Sequence, residues 1–243
     1  MIITSLNNEH IKNLNKLKEK KERDKTNTFL IEGEHLVNEA LKNNLLIELI
    51  VLENENININ SIKTTYVSKE VMKKLSNMDS YPTVIGVCQK KQKEEIGNKI
   101  LLLEDVQDPG NLGTIIRSAV AFDIDTIILS PKTVDLYNHK VIRSTQGMLF
   151  NINIIIEEPK TIITELKEKK YQILGTKVDN GKNIKDIPTK DKFVLIIGNE
   201  GQGMSSEISN LCDEYLYIEM NNKVESLNAS VAASILLYEL GNK

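Results

Sequence analysis

The sequence predicts an α/β protein, with a mostly parallel sheet in its C-terminal part and a smaller α/β module ahead of it. Three observations carry that expectation. From residue 100 onward, apolar runs of strand length recur at Ile100–Leu103, Thr126–Leu129, Ile152–Ile156, Gln172–Leu174, Phe193–Ile197 and Tyr215–Ile218. Most are separated by helical stretches, and strands that are apolar throughout imply burial on both faces, as in a parallel sheet covered by helices. Finally, the polar, glycine-containing stretch 89–99 reads as a linker, giving domains at 1–92 and 99–243.

Taken in order, the N-terminal module opens with a helical segment over about 7–23 and a short strand at Phe29–Ile31. A helix carrying Leu36, Val37, Ala40 and Leu41 follows, then a buried strand at Leu49–Leu52, a helix near 68–76 and a strand at Val84–Cys88. The first segment is rich in cations, among them Lys12, Lys16, Lys20 and Arg23. It reads either as an RNA-contacting stripe or as a solvated helix face with charge pairs four residues apart.

The 243 residues suffice for one large or two small domains, and 40% hydrophobic with 27% charged is an ordinary globular balance. A net charge of −3 excludes a protein that coats nucleic acid nonspecifically. Cys88 and Cys212 have no metal-type spacing, and His10, His35 and His139 are scattered, so no metal site is expected. With neither a signal-peptide pattern nor an apolar run of membrane-spanning length, the expected location is the cytoplasm.

Ligands of parallel sheets bind in loops at the carboxyl ends of strands, and three such loops carry unusual residues. The first runs from Glu104 through Asp108-Pro109-Gly110-Asn111 to Arg117. Asn111 is placed to cap the following helix, whose apolar stripe is Leu112, Ile115, Ile116, Ala119 and Val120. Arg117 lies off that stripe, and helical side chains lean toward the N-terminus, which puts its guanidinium within reach of the loop mouth. A helix start and a guanidinium suit a phosphate, although a plain cap with a surface arginine reads equally from these residues.

The second loop, Gly198-Asn199-Glu200-Gly201-Gln202-Gly203, permits close backbone approach to a ligand. It lacks the Gly-Lys-Ser/Thr of a phosphate loop, and its glutamate would repel a pyrophosphate but suit a cationic, polyhydroxylated ligand. A glycine-rich turn of structural value is the alternative. The third loop, from Ile218 through Met220 to Glu225-Ser226-Leu227-Asn228, enters a helix that is apolar nearly all round. Ser226 or Asn228 can cap that helix and Gly241 is a natural stop. Burial on every side suggests packing by a second subunit or by a crossing segment, beside the plainer reading of a buried terminal helix.

Together the loops resemble the three ordered motifs of the SpoU/TrmH branch of the SPOUT methyltransferases. The first is Asn-x-Gly-x-x-x-Arg at Asn111, Gly113 and Arg117; the second is Gly-x-Glu-x-x-Gly at Gly198, Glu200 and Gly203. The third is Glu-Ser-Leu-Asn-x-Ser-x-Ala at Glu225, Ser226, Leu227, Asn228, Ser230 and Ala232. Residues 1–92, with Phe29 to Glu34, resemble the substrate-binding domain of two-domain bacterial rRNA methyltransferases, itself similar to small ribosomal RNA-binding proteins. Glu219 and Asn222 stand where that family usually has proline and glycine.

The resemblance implies a deep trefoil knot in the C-terminal domain and a homodimer with the site near its interface. It implies transfer of a methyl group from S-adenosylmethionine (AdoMet) to a ribose 2'-hydroxyl of RNA, with 23S rRNA the expected acceptor. A tRNA acceptor is the rival. A non-catalytic RNA-binding or ribosome-assembly role is the other class, against which intact Asn111, Arg117 and Asn228 argue. Arg117, Asn111, Glu200, Ser226 and Asn228 are the implied catalytic set. Thr176, Gly198, Asn199, Gly201, Ile218, Met220, Ser226, Leu227 and Asn228 are the implied AdoMet contacts. Arg143 joins Lys12, Lys16, Lys20, Arg23 and Arg117 as an RNA contact.

Overall fold

The structure, a computed structural model, describes residues 2–178, 181–188, 190–221 and 223–241. Two compact units emerge: residues 1–92 with 135–150, and residues 93–134 with 151–243.

The first unit is built on a five-stranded mixed sheet. Its elements are β1 (Ile2–Ile3), α1 (Glu9–Lys16), α2 (Lys20–Thr26), β2 (Thr28–Glu32), α3 (Glu34–Lys42), β3 (Leu46–Leu52), β4 (Lys63–Val67), α4 (Lys69–Leu75) and β5 (Val84–Gln89). The strand order is β1-β4-β3-β5-β2, with β1, β4 and β3 mutually parallel and β5 antiparallel to both β3 and β2. Ile11 and Leu14 of α1 and Val71, Met72 and Leu75 of α4 close one face against Ile50 and Ile85. The short β1 and the polar β4 were not expected from the sequence. Lys-Thr-Thr-Tyr-Val carries little hydrophobic signal, and β4 is fixed instead by pairing on both sides.

The single helix expected over 7–23 is two helices, and the break has a cause. Between α1 and α2 the carbonyls of Leu17 and Lys18 turn away from helical bonding to accept from Arg23 Nη1, at 2.8 and 2.6 Å. The second terminal nitrogen, Nη2, pairs with Asp135, while Nε is buried without a partner among the described residues. Arg23 is therefore buried, a correction to its expected place among RNA-contacting cations: its charge is spent inside the unit. Lys12, Lys16 and Lys20 are exposed as expected.

Residues 135–150, assigned from the sequence to the C-terminal part, pack with the first unit. The Tyr137 ring lies 4.6 Å from that of Phe29, the Phe150 ring 6.3 Å from it, and His35 Nε2 reaches Gln146 O at 3.1 Å.

The second unit holds β6 (Lys99–Leu103), α5 (Pro109–Ala121), β7 (Thr126–Leu129), β8 (Asn153–Ile156), α7 (Pro159–Glu168), β9 (Gln172–Thr176), β10 (Lys182–Asn183), β11 (Phe193–Ile197), α8 (Ser206–Ser209), β12 (Glu214–Tyr217) and α9 (Ala229–Gly241). The helix at His139–Thr145, carrying Arg143, is α6 in chain order and belongs to the first unit. All seven strands are parallel, in the order β10-β12-β9-β11-β6-β7-β8. From β6 the chain first adds β7 and β8 on one side, then fills the other side with β9, β11 and β12. That reversal makes the β6/β11 boundary a switch point, where neighbouring loops diverge and leave a crevice.

Candidate active site

Four adjacent strands, β12, β9, β11 and β6, deliver their carboxyl-terminal loops to one end of the second unit. Two cavities lie among those loops. One, of about 610 Å³, falls in the roughly 300–1,000 Å³ range of small-molecule sites. Thr176, Gly198, Asn199 and Gly201 line it, and so do Ile218, Met220, Ser226 and Leu227. Asn228, expected to touch the same ligand, lies instead on the second cavity, of about 800 Å³, with Gln107, Asp108 and Asn111. The two cavities share a wall made of Asn199, Glu200, Ser226, Leu227 and Ala229.

The glycine-rich turn folds back on itself through two bonds between the backbones of Asn199 and Gly203, at 3.0 and 2.9 Å. A Cβ on Gly198 would stand 2.2 Å from Gly203 C and from Met204 N, so only glycine fits there. Gly203 has φ +68°, the left-handed region that favours glycine. Gly201 is different, since the nearest atom to an added Cβ is 3.7 Å away. The Asn199 side chain is used within the protein: Oδ1 accepts from the Gly201 and Gln202 N–H groups, and Nδ2 donates to Asp105 O at 2.8 Å. The Thr176 hydroxyl likewise donates to Ile196 O at 2.9 Å.

Asp108, rather than Asn111, caps α5. Its carboxylate accepts from Asn111 N–H at 2.8 Å, and Pro109 follows at the first helical position, where a fixed φ and a missing N–H cost nothing. The helix thus begins earlier than expected, which frees the Asn111 side chain. Its Nδ2 donates to Glu200 Oε1 at 3.1 Å, and its Oδ1 accepts from Asn228 Nδ2 at 2.9 Å. Asn228 Oδ1 in turn caps α9, accepting from Ser230 N–H at 2.9 Å and from the Ser230 hydroxyl at 2.6 Å. The direction of both amides is set from the ends, because a carboxylate only accepts and a helix N-terminus only donates.

Glu200 also accepts from the backbone N–H groups of Gln107 (3.1 Å) and Asp108 (3.0 Å). Partial burial works against its charge. The Asp108 N–H, the Asn111 amide and the Gln107 N–H outweigh that and hold the carboxyl below its ordinary range. Glu200 is thus an anion pinning the first loop to the second. Glu104, buried at the end of β6, adds a further tie by accepting from Ser205 N–H at 3.0 Å. The sequence reading missed both Asp108 and Glu104, although an acidic residue immediately before proline is a legible helix start.

The arrangement of a glycine-walled cavity against an amide-lined one is found on a chain whose residues 98–238 match the SpoU rRNA Methylase family. This chain belongs to the SpoU rRNA methylase family. Residues 8–86 match the MRM3-like substrate binding domain. The chain is 38% identical to the 23S rRNA (guanosine(2553)-2'-O)-methyltransferase RlmP of Bacillus subtilis, over 98% of each chain. It is also similar to the structure of an AdoMet-bound rRNA methyltransferase from Sinorhizobium meliloti, with TM-score 0.86, 27% identity and coverage of 98% and 96%. An RNA 2'-O ribose methyltransferase structure superposes with TM-score 0.81 at 28% identity, covering 98% and 97%.

On this SpoU-family framework the remaining expected site residues divide. Ser226 is exposed, lines both cavities, and its hydroxyl makes no hydrogen bond with any described residue. Arg117 departs from expectation. It is exposed on α5 and lines neither cavity of its own chain, being two turns along the helix from the cap. Arg143 is exposed on α6. Glu219 is exposed, and Asn222 lies outside the described residues. No described helix is long and apolar enough to cross a membrane.

Proposed function

We propose that the chain methylates a ribose 2'-hydroxyl of 23S rRNA in the cytoplasm, using AdoMet as donor. The observation that carries this reading is the wall shared by the two cavities, which would place a donor and an acceptor on either side of Ser226, Leu227 and Glu200. The residues fit AdoMet: Gly198 presents bare backbone, while Ile218, Met220 and Leu227 offer apolar surface for a nucleoside. AdoMet, when bound, supplies an electrophilic methyl carbon on its sulfonium.

In the second cavity Asn111 and Asn228, locked by Glu200 and by the start of α9, orient the acceptor ribose, and the free hydroxyl of Ser226 meets it from the shared wall. Methyl transfer requires the 2'-hydroxyl to lose its proton. A guanidinium stays protonated in proteins, so Arg117 acts by clamping the adjacent phosphate and stabilising the developing alkoxide, and a phosphate oxygen or water takes the proton. Residues 1–92, with exposed Lys12, Lys16 and Lys20 and with 135–150 packed on them, form an RNA-holding domain, and the rest of 99–243 forms the catalytic one, wound as a trefoil knot. Arg143 adds an RNA contact.

Because Arg117 lies outside the cavities of its own chain, the reading includes a homodimer. On α9, Val231, Ile235 and Tyr238 are exposed along one face, while Ala229, Ala232 and Leu236 of the same helix line the donor cavity. Ser118, next to Arg117, bonds Ser234 of α9 at 2.7 Å, so the helix that carries Arg117 packs directly on α9. A second copy covering the stripe would bring its Arg117 to this chain's acceptor cavity.

The test is methyl transfer from labelled AdoMet to 23S rRNA and to tRNA from cells lacking the gene, followed by mapping of ribose methylation. One modified ribose in 23S rRNA is expected. Transfer to tRNA alone would overturn the acceptor, and absence of transfer to either would overturn the activity.

A further inference from the structure

The donor cavity holds one charge that a cationic ligand does not explain. The sulfonium and α-ammonium of AdoMet are positive, and its only anionic group is the α-carboxylate of the methionyl part. Among the described residues, the ionisable side chains lining the cavity are Lys177, Glu200 and Glu225. Glu200 is occupied by the N–H groups of the first loop. Glu225 is exposed at the rim and suits the α-ammonium. That leaves Lys177 as the one cation of this wall, directly after the carboxyl end of β9.

Lys177 is exposed, but its ammonium is held by a neighbour. Its Nζ lies 3.5 Å from the centroid of the Tyr215 ring, a cation–π contact. That ring is held in turn: the Tyr215 hydroxyl donates to Ser209 O and lies 3.0 Å from the Ser209 hydroxyl. Lys177 N–H donates to Leu216 O at 3.0 Å, which ties the start of its loop to β12. The Lys177 backbone is thus fixed at the cavity, the ammonium is held over the adjacent Tyr215 ring, and it makes no ion pair with any described residue. A fixed cation beside a sulfonium would oppose binding, whereas one beside the carboxylate would favour it.

We infer that Lys177 is the carboxylate anchor of the donor, binding the methionyl α-carboxylate. The donor then lies with that end at the mouth beside β9 and its sulfonium toward the shared wall of Ser226, Leu227 and Glu200. Apolar contacts from Ile197, Leu216, Ile218 and Leu236 are left for the adenosine. The inference rests on AdoMet as donor and adds the residue that orients it.

Calorimetry on the full chain separates the two. Wild type is titrated with AdoMet, with S-adenosylhomocysteine, and with 5'-methylthioadenosine, which keeps the nucleoside and sulfur but has no amino-acid part. Lys177→Met should bind AdoMet and S-adenosylhomocysteine about 10–100-fold more weakly, the range of a charge-assisted contact, and methylthioadenosine within about twofold of wild type. Unchanged methylthioadenosine binding also shows that the cavity is still folded. Lys177→Arg should recover most of the loss, and Tyr215→Phe, which keeps the ring, should bind like wild type. Equal weakening of all three ligands would overturn the anchor by placing Lys177 on the nucleoside; no weakening of any would overturn it as a solvated lysine. Failure of wild-type protein to bind AdoMet at all would remove the donor assignment, and the anchor with it.

Discussion

Two residues show how strictly the local chemistry is set. At Gly198 the obstruction to a side chain is backbone at 2.2 Å, which no rotamer change relieves. Gly198→Val should therefore open the turn and weaken AdoMet binding by more than about 100-fold, with first-unit stability unchanged. Calorimetry showing wild-type affinity would contradict the assignment of that cavity to the donor. Glu200 gives a pH signature. Its folded-state carboxyl is held below the ordinary value, so its contribution to loop docking is present above the usual carboxylate range, near ~4.3, and is lost as pH falls through the lower folded value. Glu200→Gln removes the charge at every pH, so acceptor binding by the variant should be weak at neutrality and should lack the acid-side loss expected of wild type. A variant with the same pH profile as wild type would show that the pinning anion lies elsewhere.

At the scale of elements, how legible the chain was depended on what fixes each piece. The central strands β6, β7 and β11 are buried on both sides and were readable as continuous apolar runs, nearly to the residue. Edge and polar pieces were not: β1 and β4 are made by pairing, and α1 and α2 are separated by a side chain, Arg23, whose role lies in its bonds to carbonyls five and six residues back. The three site loops were legible as loops, and Glu200, Asn111 and Asn228 do meet in space, with Gly198 lining the adjoining cavity. Arg117 did not appear where its helix position suggested, because leaning toward the N-terminus does not carry a side chain across two turns. The cap of α5 was misplaced by three residues, and its energetics are testable. Asp108→Ala removes the acceptor for Asn111 N–H and should destabilise the second unit by about 1 kcal/mol in denaturant titrations. Asn111→Ala, which leaves the cap intact, should spare stability more and impair methyl transfer more; the reverse ranking would reassign the two roles.

The whole molecule raises two larger questions: what holds residues 135–150 in the first unit, and whether one chain makes a complete site. The first turns on Arg23, whose loss would leave Asp135 without its cationic partner and the Leu17 and Lys18 carbonyls without the Arg23 donor. Arg23→Ala should cost toward the lower end of the ~3–5 kcal/mol seen when half of a buried ion pair is removed, since Asp135 keeps some contact with water. Guanidinium-chloride unfolding of the variant measures this, and a loss below about 0.5 kcal/mol would return Arg23 to the RNA-contacting group.

The second question has a cleaner answer in a mixing experiment. Arg117→Ala should abolish transfer yet bind AdoMet normally, because Arg117 lines no part of the donor cavity; Gly198→Val should bind no donor yet keep its guanidinium. If Arg117 serves the partner's acceptor cavity, co-refolding the two dead variants in equal amounts forms mixed dimers with one intact site. Random pairing makes half the dimers mixed, so activity should return to about a quarter of wild type. If Arg117 serves its own chain, every mixed dimer remains dead, because one subunit lacks the donor and the other the guanidinium. Ile235→Asp, which puts a charge in the exposed stripe of α9, should then yield monomers by light scattering and remove activity with them. An active monomer would show that the stripe has no part in building the site.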